Sequence, residues 1–162
     1  MARVRRWIPV ALWAILISTF STDRFSSDNT SRFIVPALRW LFPHASMDTI
    51  ELLHHLIRKG AHVFEYFFFG TLLFRAIRGS GRGWTIRWAA STIALAAVYA
   101  AGDEFHQSFV PSRGASPWDA LLDTAAAATA VLVLWLLAKW SHARISGSGP
   151  GSGAARVMAN PE

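Results

Sequence analysis

The sequence predicts an all-α protein, an integral membrane helical bundle with four transmembrane helices and a further amphipathic or re-entrant segment in an outer loop. Three observations lead there. Of 162 residues, 52% are hydrophobic and only 16% are charged, whereas soluble domains carry about a quarter of charged residues. Four apolar segments, Val4 to Phe20, Ala61 to Ile77, Trp84 to Gly102 and Trp118 to Ala138, carry their few ionisable residues mostly near their ends. Trp7, Trp84, Trp88, Trp118 and Trp140 flank those segments, at the level where an amphipathic indole prefers the headgroup layer.

The first segment opens on Arg3, Arg5 and Arg6. It has the basic start and apolar middle of a signal peptide, but no small-x-small site follows Phe20, so it is expected to stay as a span. The loop from Ser21 to Gly60 is long for a connection, which points to structure of its own. Within it, RFIVPALRWLF is expected to lie along the interface or to dip in and out. Pro36 should break it, and Arg32 and Arg39 can snorkel. Asp48 followed by Glu51 has the spacing of a weak capping box, so a helix is expected to open near Thr49 and run into the second span.

On that helix, Glu51, His55, Arg58, Lys59, His62, Glu65 and Tyr66 share one sector at ~100° per residue. Below them, Phe67, Phe68, Phe69, Leu72 and Leu73 are apolar. The third span ends in GDEFHQ, with Tyr99, Asp103, His106 and Gln107 in one sector and Glu104 to its side. Pro111 and SRGASP turn the chain. The fourth span starts with Asp119 and Asp123, one turn apart, above Ala126, Ala127 and Ala130 on the same face, where small residues favour close helix packing. Residues 1–145 thus form one membrane domain, and residues 146–162 a flexible Gly/Ser-rich cytoplasmic tail.

The distribution of Lys and Arg orients the bundle. With both termini cytoplasmic, Arg3, Arg5, Arg6, Arg75, Arg78, Arg82, Arg87, Lys139 and Arg144 lie inside, which leaves few cations near the outer ends. The net charge of +6 comes from cations spread over helix ends rather than gathered in a stripe, so it signals topology, and nucleic acid is not expected as a partner. The chain has no cysteine, which excludes disulfides and thiolate chemistry.

Three helix ends with narrow ionisable faces therefore meet at the outer surface. A charge facing lipid costs ~2.5–3.5 kcal/mol on insertion scales, so the faces are expected to turn toward one another around a polar pocket. Its expected binding residues are Arg58, Lys59, His62, Tyr66, Asp103, Glu104, His106, Gln107, Arg113, Asp119 and Asp123. Arg58, Lys59 and Arg113 are expected to pair with some of the four acids.

The strings IRKGAHVFEYFFFG, DEFHQSFVPSRGASPWD and LLDTAAAA resemble the VanZ-like membrane protein family. Its members carry RK-x-x-H-x-x-x-Y, DE-x-H-Q-x-x-x-P-x-R and D-x-x-x-[DN]-T-x-G elements in this order and spacing. The resemblance covers roughly Leu12 to Leu137. One departure is that Ala126 or Ala127 stands where the family usually has Gly. The resemblance implies a small multi-pass protein of the bacterial cell membrane, and for the family's founding member a link to low-level teicoplanin resistance, without an established biochemical activity for most members.

Two functions fit these residues. In the first, the pocket recognises an envelope lipid, a lipid-linked cell-wall intermediate or an amphiphilic glycopeptide antibiotic. Arg and Lys would engage an anionic head, and Phe64, Phe105, Phe109 and Trp118 the tail. In the second, His62 or His106 with Asp103 or Glu104 acts as acid and base on a lipid ester or phosphoester, with Ser108 and Ser112 the nearest hydroxyls. A metal-assisted form of the second would draw on His62, Glu65 and His106. No cofactor is implied, and membrane lipids are the expected partners.

Overall fold

The computed structural model describes residues 2–22, 27–109 and 115–147, and all the regular secondary structure among them is helical. After a single turn, α1 (Ala2–Arg5), the chain forms α2 (Ile8–Phe20), α3 (Ser27–Leu41), α4 (Met47–Arg78), α5 (Ile86–Gln107) and α6 (Pro117–Gly147). Most of the tail expected at residues 146–162, together with Pro111, Ser112 and Arg113, lies outside the described residues.

Local chemistry sets the helix ends. Pro9 opens α2, where a missing N–H costs nothing. α4 is capped by Ser46, not by Asp48 as the capping-box spacing suggests: the Ser46 hydroxyl accepts from the Thr49 N–H at 3.3 Å, and Asp48 falls in the first turn. The helix runs on for 32 residues without interruption and stops at Gly79, whose φ of 58° is a left-handed conformation that glycine adopts freely. Thr85 caps α5 by accepting from the Trp88 N–H. α3 differs from its expectation, because it continues through Pro36. The proline sits on the exposed side, where the Arg32 carbonyl that loses its donor remains open to other partners. α3 is thus one helix lying against α4, with Leu38 buried.

The long helices α4, α5 and α6 pack on one another, and α2 and α3 lie against α4. The core gathers Val10 and Ile17 of α2, Tyr66, Phe69 and Leu73 of α4, Ala96 and Ala100 of α5, and Ala126 and Ala127 of α6. α4 and α6 approach closely where they cross. A Cβ placed on Gly70 would lie 2.8 Å from both the Cα and the carbonyl oxygen of Ala127. The glycine that permits tight crossing therefore sits on α4, facing the alanines of the last motif. A second cluster, Phe74, Ala89 and Val131 with Trp84 and Trp88 packed on it, closes the other end.

Of the four expected spans, only the Pro117–Ser141 stretch of α6 is both long and apolar enough to cross a membrane, among the described residues. α2 is apolar but has 13 residues, about 20 Å at 1.5 Å per residue. α4 and α5 have the length, but α4 carries Glu51, Arg58, Lys59 and Glu65, and α5 is rich in weakly apolar alanine and ends in Asp103 and Glu104. Large apolar side chains nevertheless stand exposed along each of these helices, including Leu12, Ile15, Phe64, Val98, Leu132 and Leu137.

Candidate functional site

Four carboxylates gather where α4 begins its apolar half, α5 ends and α6 starts. Each is held differently. Asp103, on the last turns of α5, accepts at Oδ2 from the Ser21 hydroxyl at 2.7 Å and from the Gln107 amide at 2.9 Å, all three groups being buried. Glu104 accepts from the backbone N–H of Ser116 at 2.9 Å. Burial pushes its carboxyl above the ordinary value of 4.5, against the pull of that N–H, and the nearby acids Asp119, Asp123 and Asp103 push it further. Asp119 pairs with Lys59 at 2.6 Å. Asp123, 1% exposed, has its Oδ2 3.6 Å from His62 Nδ1, too long for a hydrogen bond but within ion-pair reach of a protonated ring.

Asp123 is the unusual member. Among the described residues, neither of its oxygens has a hydrogen-bond partner, and the hydroxyl of fully buried Tyr66 has none either. A buried polar group left this way costs ~1–3 kcal/mol, more when charged, so these atoms mark a place where water, a proton or a ligand group would be stabilised.

The α5 face differs from the sector read off the sequence. Ala100, Asp103, Glu104 and Gln107 are buried, while His106 is exposed. The interior face extends toward Glu104 because α6 packs on that flank and Ser116 comes within bonding distance. Tyr99 looks instead to α2, where its hydroxyl donates to the Ala14 carbonyl at 2.6 Å and lies 2.8 Å from the Ser18 hydroxyl. Ser21 is the participant the sequence did not mark. Its only signal there is a hydroxyl one residue beyond the first apolar segment.

The metal candidates His62, Glu65 and His106 are not brought together. Among the described residues, no three His, Asp or Glu side chains are placed to hold an ion, and His106 stands on the outer side of α5.

Beside the acids lies an open cleft of about 220 Å³ between the end of α2, α3 and α4. Arg58, His62 and Glu65, on successive turns of α4, face it together with Phe20, Ile34 and Ile57. His62 thus fronts the cleft on one side and Asp123 on the other. Farther along α4, His54 is buried with its Nε2 3.3 Å from the Thr30 hydroxyl of α3. Burial first, then the charges of Arg58 and His55, lower its pKa from 6.5, which suits a ring that joins two helices.

The family model described as VanZ/LLP1 matches residues 6–138, from the turn before α2 to the last turns of α6. The chain belongs to the VanZ-like family. Comparison with curated proteins and with solved structures returns no match. Within this VanZ-like chain, each of the three motifs supplies carboxylate or cation partners to the same cluster: Lys59 and His62 from the first, Asp103 and Glu104 from the second, and Asp119 and Asp123 where the second runs into the third.

Proposed function

We propose that this VanZ-like chain is a four-span membrane protein whose acidic end opens away from the cytoplasm and recognises an amphiphile: an envelope lipid, a lipid-linked cell-wall intermediate or an amphiphilic glycopeptide antibiotic. The observation that carries this reading is the cleft in which Arg58, His62 and Glu65 meet Phe20, Ile34 and Ile57. It sets charged hydrogen-bonding groups directly beside apolar walls, as a headgroup joined to a tail requires. Exposed apolar residues along α2, α4, α5 and α6 support lipid on the outside of the bundle. The cluster of Arg75, Arg78, Arg82 and Arg87 around the α4–α5 turn supports placing that turn on the cytoplasmic side.

Native mass spectrometry of the detergent-purified protein tests it. Wild type should retain a defined lipid class, and Arg58→Ala and His62→Gln should lose most of it while remaining folded. Unchanged lipid in both folded variants would remove the reading.

One observation favours a second reading, acid/base hydrolysis or group transfer on a lipid ester or phosphoester. His62 fronts the cleft with the buried Asp123 carboxylate behind its Nδ1, and an acid so placed orients a ring whose other nitrogen exchanges protons. Turnover of such a lipid, with a pH profile altered in His62→Gln, would favour this reading. Equal rates in the two proteins would end it.

A further inference from the structure

The opposite end of the bundle has its own chemistry. From Met1 to Thr22, from Tyr66 to Gly102 and from Thr124 to Gly147 the sequence has no Asp or Glu, so the described residues at this end carry cations without acids. Two of those cations, Arg6 before α2 and Arg78 at the end of α4, border a cleft of about 590 Å³ with the hydroxyls of Ser80 and Ser91. No carboxylate among the described residues lies within ion-pair distance of either guanidinium. The turn at Gly79 helps to build the cleft. Its left-handed backbone carries the chain away from α4, and the Arg6 guanidinium fills the space that a side chain at Gly79 would need.

This cationic cleft does not end at its polar rim. Trp7 and Leu95 line it, and the same two residues line an apolar groove of about 370 Å³ that runs between α2 and α5 over Phe69 and Leu73 of α4. The groove follows α2 from Trp7 to Ala14, about 10 Å at the helical rise per residue. It closes where the Tyr99 hydroxyl donates to the Ala14 carbonyl. A polar mouth bearing two guanidiniums without an ion-pair partner among the described residues thus leads into an apolar groove.

We infer that this cleft and groove bind one anionic glycerophospholipid, its phosphate between Arg6 and Arg78 and one acyl chain along α2. Charge complementarity selects the occupant. Guanidinium forks bind phosphate oxygens in pairs, and Ser80 and Ser91 can donate to the remaining oxygens. The carboxyl end of α4 opposes an anion with about half a unit of negative charge, less than the two full charges of the arginines. A helix from a second protein would fill the apolar groove but would leave both guanidiniums without counter-charge. This site is separate from the acidic end and does not rest on the reading proposed there.

The test is titration of the detergent-purified full chain with phosphatidylglycerol and with phosphatidylcholine of the same acyl chains, followed by native mass spectrometry. An arginine near a lipid surface is worth about fivefold in binding, so wild type should prefer phosphatidylglycerol by at least about tenfold, and added salt should shrink that preference. Arg6→Gln with Arg78→Gln should bring the preference close to one. Leu95→Trp, at an exposed position, should plug the groove and weaken both lipids. Ser46→Ala, at the other end of α4 and outside both clefts, should leave the preference intact. Equal binding of the two lipids by wild type, or a salt-insensitive preference, would overturn the inference without any variant. An undiminished preference in the folded double variant would overturn it too.

Discussion

Replacing Gly70 by alanine tests the close approach of α4 to α6. The added Cβ would meet the Cα and the carbonyl oxygen of Ala127 at 2.8 Å each and the Ala127 Cβ at 3.0 Å. Two of these are backbone atoms of α6, which cannot swing aside as a side chain can. Overpacking of this kind costs ~1–3 kcal/mol. Gly60, on the same helix, is the internal control, since a Cβ there meets nothing within 4 Å, and Gly60→Ala should gain about 0.5–1 kcal/mol from helix propensity alone. Gly70→Ala carries the same propensity gain, so it should be less stable than Gly60→Ala by the overpacking cost alone, about 1–3 kcal/mol, in equilibrium unfolding of the purified protein in detergent. Adding Ala127→Gly to Gly70→Ala should rescue only part of the loss, because it removes the 3.0 Å contact and leaves both 2.8 Å contacts. Equal stability of Gly70→Ala and Gly60→Ala would refute the tight α4–α6 crossing, and full rescue would refute the backbone origin of the clash.

Glu104 gives a pH signature. Its carboxyl is held above 4.5 in the folded protein, chiefly by burial, so the folded state binds its proton more tightly than the unfolded state does. Stability from this group is therefore greatest at acid pH and falls as pH rises from about 4.5 through the raised folded value. Glu104→Gln keeps an acceptor for the Ser116 N–H and should flatten that fall in unfolding curves taken across pH, whereas parallel curves for the two proteins would contradict the assignment. At the start of α4, Ser46→Ala should cost about 1 kcal/mol by freeing the Thr49 N–H, and Ser46→Asp should restore it; stability unchanged in Ser46→Ala would show that the cap carries no weight.

The helical class and the family were legible in the sequence because both rest on local pattern. Apolar runs and three ordered motifs do not depend on how helices pack. Limits appeared wherever a neighbour decides. The polar sector read for α5 held Tyr99, Asp103, His106 and Gln107 with Glu104 to its side, yet the helix buries Glu104 together with Asp103 and Gln107 and leaves His106 exposed because α6 covers the Glu104 flank, and no periodicity within α5 carries that information. Ser21 joins Asp103 across 82 positions of chain, a pairing set by the packing of α2 on the bundle. Alanine stands near the family glycine's place at Ala126 and Ala127, and the glycine that lets α4 and α6 approach, Gly70 on the other helix, could not be paired with it from sequence. Pro36 failed as a breaker because its ring lies on the exposed side of α3.

The way the four carboxylates are held follows from where each sits on its helix. Asp103 and Glu104 lie in the last turns of α5, where the helix dipole carries partial negative charge and disfavours an anion. Asp119 lies in the first turn of α6, where the same dipole favours one. The neutral donors are distributed accordingly. The Ser21 hydroxyl, the Gln107 amide and the Ser116 N–H all go to the two α5 acids, which need fixed donors to offset an unfavourable field. Asp119 has the dipole and a half-exposed lysine: the side chains of the pair are 39% and 35% exposed, so water shares in solvating it. Asp123 lies one turn beyond Asp119, past the reach of the dipole and sealed from water, with His62 alongside and no hydrogen bond to either oxygen. Among the four acids it therefore depends most on whether His62 carries a proton, and His62 is also the residue that faces the cleft. A headgroup that binds there and changes the protonation of His62 would thereby change the charge balance of the buried carboxylate, which couples the cleft to the crossing of α4 and α6 through one imidazole.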